Sequence, residues 1–282
     1  MAELEGSPEL EDPVLIAAFE GWNDAADAAS AALDHLVDAW EAKPVAEIDP
    51  DDYYDFQVNR PTVSMEEDGV RSIAWPTSRV LIARRPAAPR DVVLVRGIEP
   101  NMRWRQFCAE ILTEASRYKV RMAVLLGALL ADSPHSRPIP VTSSATDPEL
   151  AKALGLEASR YEGPTGVLGV LQDACQQRGL PAVSLWAAVP HYVGQPPNPK
   201  ATLALLRQLE DLLDLSVPLG ELPEEARAWE RGVDDLARDD SEVAEYVRSL
   251  EEARDAADLP EATGEAIARE FERYLKRQRP ES

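Results

Sequence analysis

Polar side chains follow a long apolar run in the middle of the chain. Residues 120–130 are mostly apolar, and Asp132, His135 and Arg137 come soon after them. An imidazole titrates near neutral pH, and a carboxylate beside it can set its tautomer. These three side chains could therefore form an acid–base and anion-binding group. The alternative is a rigid turn between two prolines, in which Arg137 neutralises a buried Asp132 and the polar groups are structural.

Asn101 and Arg103 also stand where a predicted strand ends and a helix begins. In open α/β sheets, ligands bind in crevices outside the carboxyl ends of the strands. Arg103 could therefore hold a ligand carboxylate with two hydrogen bonds. The alternatives are that Asn101 caps the helix and that Arg103 pairs with Asp132 or Glu99.

Two turns complete the candidate crevice. Asn23 and Asp24 follow the first apolar run, where Asn23 is also a plausible cap of the next helix. Residues 163–166 lead into another helix, whose free backbone N–H groups could hold an anion, although the charge of Glu162 opposes this. Thr165 could instead cap that helix. The candidate ligand-binding residues are Asn23, Asp24, Asn101, Arg103, Asp132, His135, Arg137, Glu162, Thr165 and His191.

Motifs for metal, nucleotide or hydrolytic chemistry are missing from the sequence. The three histidines show no His-x-x-x-His spacing and the two cysteines no Cys-x-x-Cys spacing, which argues against a zinc site. The glycine and lysine pattern of a phosphate-binding loop and the Gly-x-Ser-x-Gly turn of hydrolases are also missing. We therefore expect no metal and no nucleotide cofactor, and the sequence carries no catalytic signature.

The composition describes an acidic protein with enough apolar residues for a large core. The 282 residues are 45% hydrophobic and carry a net charge of −22, which argues against nucleic acid and anionic membranes as partners. The sequence has no apolar run of membrane-spanning length and no signal peptide, which predicts a cytoplasmic protein. Cys108 and Cys175 fall on or near apolar faces of predicted helices and are expected to be buried free thiols.

Strand-like runs alternate with amphipathic helices up to about residue 218, which predicts an α/β domain over residues 1–218. A first helix is expected to begin at Asn23 and to bury Trp22 on its apolar face, and residues 50–78 are expected to be irregular. The predicted strands cover residues 14–19, 45–48, 80–83, 92–95, 120–130, 139–142 and 180–189.

The last part of the chain, residues 219–282, is acidic and has no strand-like run. Three narrow apolar stripes, the third near residues 266–275, predict amphipathic helices. We interpret this part as a C-terminal helical segment that packs on the main domain or on a neighbouring subunit.

Five motifs occur in a fixed order along the chain, and together they resemble the proteasome assembly chaperone 2 (PAC2) family in its actinobacterial form. The resemblance covers roughly residues 13–215. The motifs are Gly21-Trp22-Asn23-Asp24-Ala25-Ala26, Gly97-Ile98-Glu99-Pro100-Asn101 with Arg103-Trp104, Leu126-Gly127-Ala128 through Pro134-His135-Ser136-Arg137-Pro138, Tyr161-Glu162-Gly163-Pro164-Thr165-Gly166, and Leu185-Trp186 through Pro190-His191-Tyr192-Val193.

The resemblance implies a three-layer α/β/α fold with a mixed central sheet, similar to the nucleoside phosphorylase/hydrolase class. It also implies a homo-oligomer, with a trimer as the expected state, and 20S proteasome subunits as partners. Proteasome-binding relatives can carry a C-terminal hydrophobic-Tyr-any tail, a pattern that residues 278–282 lack. The implied function is non-enzymatic assembly of proteins through protein–protein contacts. The alternative is a small-molecule-binding protein or enzyme that uses the polar crevice.

Overall fold

Eight strands form one sheet in the computed structural model, which describes residues 9–66, 69–85, 88–159 and 161–258. The strands of the chain are β1 (Val14–Glu20), β2 (Lys43–Ile48), β3 (Thr62–Met65), β4 (Arg71–Ala74), β5 (Ser78–Ala83), β6 (Val92–Ile98), β7 (Met122–Ala131), β8 (Val141–Ala145), β9 (Glu157–Ala158) and β10 (Ala182–Pro190). The α-helices are α1 (Ala28–Ala39), α2 (Trp104–Arg117), α3 (Pro148–Leu154), α4 (Val167–Gln177), α5 (Pro199–Leu213), α6 (Leu222–Asp239) and α7 (Ser241–Asp258).

The sheet is mixed and has the strand order β2-β5-β6-β1-β7-β10-β8-β9. Its four central strands, β6, β1, β7 and β10, are parallel. β5 joins β6 and β8 joins β10 in antiparallel fashion. Parallel strands are covered on both faces and read as nearly continuous apolar runs, which is why these four could be recognised in the sequence.

Helices cover both faces of the sheet and form the expected three layers. One core lies between the sheet and the helices α1 and α5. The second core lies on the opposite face, under α2 and α4, and contains both cysteines, Cys108 and Cys175, as buried free thiols. The α/β/α fold and the free thiols are thus confirmed.

The first helix begins later than the sequence predicted. α1 begins at Ala28 after a 3-10 turn over Ala25–Asp27, and Trp22 is 66% exposed rather than buried. The reason is the carboxylate of Asp24, which accepts hydrogen bonds from backbone N–H groups in the first turn of α1. The prediction that Asn23 caps a helix beginning at Asn23 was therefore wrong.

Three other segments differ in detail from the sequence prediction. Residues 50–78 are not entirely irregular, because β3 and β4 form a hairpin within them. The strand predicted at 139–142 is β8, which begins at Val141 and extends to Ala145. The strand predicted at 45–48 is β2, which begins at Lys43 and includes Pro44; β2 is an edge strand with a register shift beside this proline, where the missing N–H is tolerated.

The C-terminal segment forms helices, as predicted, as far as the structure describes it. α6 packs along α5, and its buried residues include Leu222, Ala226 and Val233. α7 packs against α6. The third stripe, at residues 266–275, lies outside the described residues.

Candidate functional site

Four of the polar residues predicted from the sequence lie at one edge of the sheet, where its parallel strands end. Asn23, Asn101, Asp132 and His191 follow β1, β6, β7 and β10, whose parallel pairing places their carboxyl ends together. Their side chains nevertheless divide into separate groups with different partners.

Asn23 connects the end of β1 to the start of α4. Its side chain is buried, and Nδ2 donates to Oε1 of Glu99 over 3.0 Å. The same Glu99 oxygen accepts the backbone N–H of Val167, the first residue of α4, over 2.8 Å. A Cβ on Gly166 would lie 2.0 Å from Nδ2 of Asn23, so glycine is required for this approach. Glu99 thus satisfies a free N–H at the helix start.

The prediction that Thr165 caps α4 was wrong. The N-cap residue is Gly166, which has no side-chain cap, and Glu99 from a distant strand end supplies the acceptor. The hydroxyl of Thr165 lies 3.5 Å from the carbonyl oxygen of Gly166. Glu162 is exposed in the loop before it.

Asp24 is a buried carboxyl group that organises the first turn of α1. It is 4% exposed, and Oδ1 accepts from the backbone N–H of Ala29 over 2.7 Å and of Ser30 over 3.2 Å. Burial raises the pKa of Asp24 to about 6, although the hydrogen bonds from Ser30 and Ala29 act in the opposite direction. Asp24 is therefore a structural group that titrates above the usual range for aspartate.

Asn101 and Arg103 make structural contacts with the segment that follows β2. Oδ1 of Asn101 accepts the backbone N–H of Asp55 and Nδ2 of Asn59, each over 2.8 Å. Arg103 forms an exposed ion pair with Asp52. Asn101 does not cap α2, whose N-cap residue is Arg103, and the predicted pairing of Arg103 with Asp132 or Glu99 was wrong.

His135 is buried, at 1% exposure, and both of its ring nitrogens face a partner. The hydroxyl of Tyr192 lies 2.7 Å from the backbone nitrogen of His135 and 2.7 Å from Nδ1. Nε2 lies 3.1 Å from Oδ1 of Asp234 on α6. Because a carboxylate can only accept hydrogen bonds, Nε2 carries a ring proton and donates it to Asp234.

Arg137 binds the acidic face of α7. Its guanidinium donates to both carboxylate oxygens of Asp255, over 2.9 and 2.8 Å. It also lies 3.5 Å from Oε1 of Glu251, which accepts a hydrogen bond from Ser136. The guanidinium lowers the pKa of Asp255 by hydrogen bonding to its carboxylate.

Asp132 is not the buried partner of Arg137 that the sequence suggested. Its side chain is 80% exposed, and it accepts a hydrogen bond from the hydroxyl of Tyr246 on α7 over 3.0 Å. Nδ1 of His191 lies 3.3 Å from the same carboxylate. The ring of Tyr246 stands edge-on to those of His191 and Tyr192.

The loop between β7 and β8 is thus covered by the C-terminal helices. Asp132, His135, Ser136 and Arg137 each contact α6 or α7. Lys200 on α5 adds to this contact, since its ammonium donates to the carbonyl oxygen of His135 and pairs with Glu230 of α6. We call residues 132–137 the docking loop. The side chains of Asp132, His135, Ser136 and Arg137 thus have protein partners.

A separate, open cleft of about 1290 Å³ lies on the α4 side of the sheet. We call it the α4 cleft. Of the candidate residues, Asn23 and Thr165 line it, whereas the docking loop does not contribute among the described residues. The lining residues are Gly21, Trp22, Asn23, Ala25, Ala128, Leu129, Leu130, Thr142, Ser144, Ala158, Ser159, Tyr161, Pro164, Thr165, Gly169, Gln172, Ser184, Trp186, Ala188 and Gly194.

Several residues that shape these groups were not among the candidates predicted from the sequence. Glu99 was visible as a carboxylate next to a strand end, but its partners lie in distant segments. Gln172 could have been recognised from the sequence, because it is a polar residue on the apolar face of α4 beside Leu168 and Cys175. Asp234 could not have been recognised, since it is one of many acidic residues on an exposed helix.

The described residues contain no group of three or more histidine, cysteine, aspartate or glutamate side chains that could hold a metal ion. None of the helices in the described ranges is both long and apolar enough to cross a membrane.

The fold and these groups define a class of protein: a three-layer α/β/α protein with a mixed sheet and C-terminal helices docked beside the carboxyl edge of its parallel strands. A model of the PAC2 family matches residues 18–237. The chain therefore belongs to the PAC2 family, as its motifs suggested.

Solved structures of high similarity support this membership. A PAC2 family protein from Streptomyces avermitilis is 62% identical, with a TM-score of 0.80, over 84% of this chain and 100% of its own. A proteasome-assembly chaperone homologue from Mycobacterium tuberculosis is 55% identical, with a TM-score of 0.76, over 83% of this chain and 99% of its own.

A more distant structure shows the fold alone. An archaeal homolog of proteasome-assembly chaperone from Pyrococcus furiosus is 18% identical, with a TM-score of 0.57, over 88% of this chain and 97% of its own. None of the curated proteins compared with the chain matches it.

Proposed function

We propose that this PAC2 protein is a non-enzymatic, cytoplasmic assembly factor that binds 20S proteasome subunits through protein–protein contacts. The observation that carries the proposal is the 55% identity, over almost the whole of the relative, to a protein described as a proteasome-assembly chaperone homologue. The contacts of the docking loop support a non-enzymatic role, because its imidazole, that of His135, is buried between Tyr192 and Asp234.

The hairpin of β3 and β4 is the surface that we assign to protein contacts. Val63 and Ile73 are a cross-strand pair and are 53% and 49% exposed. Met65 and Trp75 are exposed beside them, at 68% and 47%. Exposed apolar patches of this kind mark interaction sites, and we infer that the chain is a homo-oligomer, with a trimer as the expected state.

Co-expression tests the proposal in a functional assay. The α and β subunits of the 20S proteasome from the same source are expressed with and without the chain, and assembled particles are separated by native gel electrophoresis. We expect more assembled particle, and less free α subunit, when the chain is present. An unchanged ratio of assembled particle to free subunit would contradict the proposal.

A matched pair of variants assigns the effect to the hairpin. Val63→Asp places a charge on the apolar face, whereas Thr62→Asp, one residue earlier, places it on the opposite face of the same strand. We expect Val63→Asp alone to reduce the assembled fraction and to lower the oligomer mass in light scattering. A monomer mass for the unaltered chain at micromolar concentration would contradict the inferred oligomer.

A further inference from the structure

We propose that the α4 cleft is a binding site for an uncharged, planar aromatic ligand that carries a hydrogen-bond acceptor such as a carbonyl oxygen. This proposal is independent of the assembly function, since it concerns another surface and another kind of partner. It depends on the shape, the charge and one unpaired donor of the cleft.

The volume of the cleft follows from the alternation of side chains along β10. Val183, Leu185 and Val189 point to one face, where they are buried in the core under α5. Ser184 and Ala188 point to the other face and line the cleft. Large apolar residues would fill this side as they fill the opposite one. Small residues leave about 1290 Å³ open, which is sufficient for a small molecule.

Trp186 supplies a flat apolar wall. It pairs with Gly127 across the β7–β10 ladder, and a Cβ on Gly127 would lie 2.6 Å from the indole carbons Cε3 and Cζ3. The indole therefore lies directly over the glycine, which no other residue would permit. The ring also lines the cleft, and a flat aromatic molecule can stack on such a surface in an offset arrangement.

Gln172 supplies an unused donor. Its side chain is 8% exposed, it lines the cleft, and its Nε2 has no hydrogen-bond partner among the described residues. A buried donor without an acceptor is unfavourable, and most such groups in proteins are paired. A carbonyl oxygen on the ligand would supply the acceptor.

The described residues that line the cleft offer no charged partner to an ionised ligand. None of the described residues that line the cleft is aspartate, glutamate, lysine or arginine, although the chain as a whole carries a net charge of −22. An ionised ligand would lose hydration without gaining an opposite charge. The polar lining consists of hydroxyl and amide groups, such as those of Thr142, Ser144 and Asn23.

The test uses 6-propionyl-2-dimethylaminonaphthalene, an uncharged planar ketone whose emission shifts to the blue in apolar surroundings. We expect saturable binding of one probe per chain. Gln172→Leu removes the donor at similar size and should weaken binding by about tenfold. Gln172→Glu keeps the shape but puts an oxygen in place of the N–H donors, and should weaken binding at least as much.

The matched control is Gln176→Leu, the same substitution one turn later, at an exposed position near the end of α4. It should bind the probe as the unaltered chain does, and far-UV circular dichroism should show that all variants are folded. Naphthalene-2-carboxylate, a planar anion, should not compete. The proposal is overturned if the unaltered chain shows no saturable binding, if the Gln172 variants bind as tightly, or if the anion competes equally well.

Discussion

His135 and Asp234 face each other across 3.1 Å although they are 99 residues apart in the chain. The imidazole belongs to the docking loop after β7, and the carboxylate belongs to α6. Since His135 is buried and its second nitrogen contacts Tyr192, this contact ties a C-terminal helix to the carboxyl edge of the sheet.

Removing the carboxylate should therefore loosen α6. Asp234→Ala leaves the buried Nε2–H without its acceptor, and we expect the free energy of unfolding to fall by about 1–3 kcal/mol. The measurement is urea unfolding, together with amide hydrogen exchange in α6. Asp235→Ala is the control, because Asp235 is exposed and pairs with Arg238 of the same helix. Equal stability losses in the two variants would contradict the role of the contact.

Arg137 should affect the local stability of α7 but not the stability of the whole protein. Its partners Asp255 and Glu251 lie at the protein surface, where ion pairs contribute little to stability. We expect Arg137→Ala to leave the Tm nearly unchanged but to speed amide exchange in α7, whereas Arg248→Ala, at an exposed position on α7 itself, should leave exchange unaltered. A large fall in Tm for Arg137→Ala would contradict this expectation and show that the ion pairs of Arg137 contribute more to stability than their exposure suggests.

Asp24 should make stability depend on pH. Its native pKa is raised from 3.8 to about 6, so between these values the native state binds more protons than the unfolded state. The free energy of unfolding therefore falls as pH rises through this window. Asp24→Asn removes the titration. Relative to this variant, the unaltered chain should lose about 1 kcal/mol between about pH 5 and 7.

Urea unfolding of both proteins at several pH values measures this difference. Other carboxylates titrate in both proteins, so their contributions cancel in the comparison. A difference that stays constant with pH, or one that grows in the opposite direction, would rule out a raised pKa at Asp24.

Glu99 should stabilise the start of α4. Glu99→Ala removes the acceptor of both Val167 N–H and Asn23 Nδ2, and we expect a loss of about 1–2 kcal/mol in the free energy of unfolding. Glu99→Gln keeps an acceptor oxygen and should lose less. Thermal unfolding ranks the variants, and the account of this cap fails if glutamine is as destabilising as alanine.

The sequence predicted the parts of the fold that depend on local patterns. Continuous apolar runs such as those of β1 and β7 identified buried parallel strands. The start of α1 was missed because a carboxylate at Asp24 can reach over several residues to cap a later turn. No local pattern in the sequence distinguishes a helix that Asp24 caps in this way from one that begins at Asn23.

The partners of the candidate residues could not be predicted, because they depend on tertiary contacts. Nothing near Arg137 in the sequence points to Asp255, which is one of 51 acidic residues in the chain. The α4 cleft depends on which small residues meet across β8 and β10, a pairing that the sequence does not reveal. The polar residues therefore lie at one edge of the sheet, as predicted. Their side chains contact other residues of the protein, however, and do not line one shared crevice.

Direct binding to proteasome subunits tests the central claim most directly. The purified chain is mixed with purified α subunits of the 20S proteasome from the same source, and the species present are weighed by native mass spectrometry. The account predicts a complex of defined stoichiometry that Val63→Asp weakens and Thr62→Asp does not. Only free chain and free α subunits at micromolar concentration would contradict it.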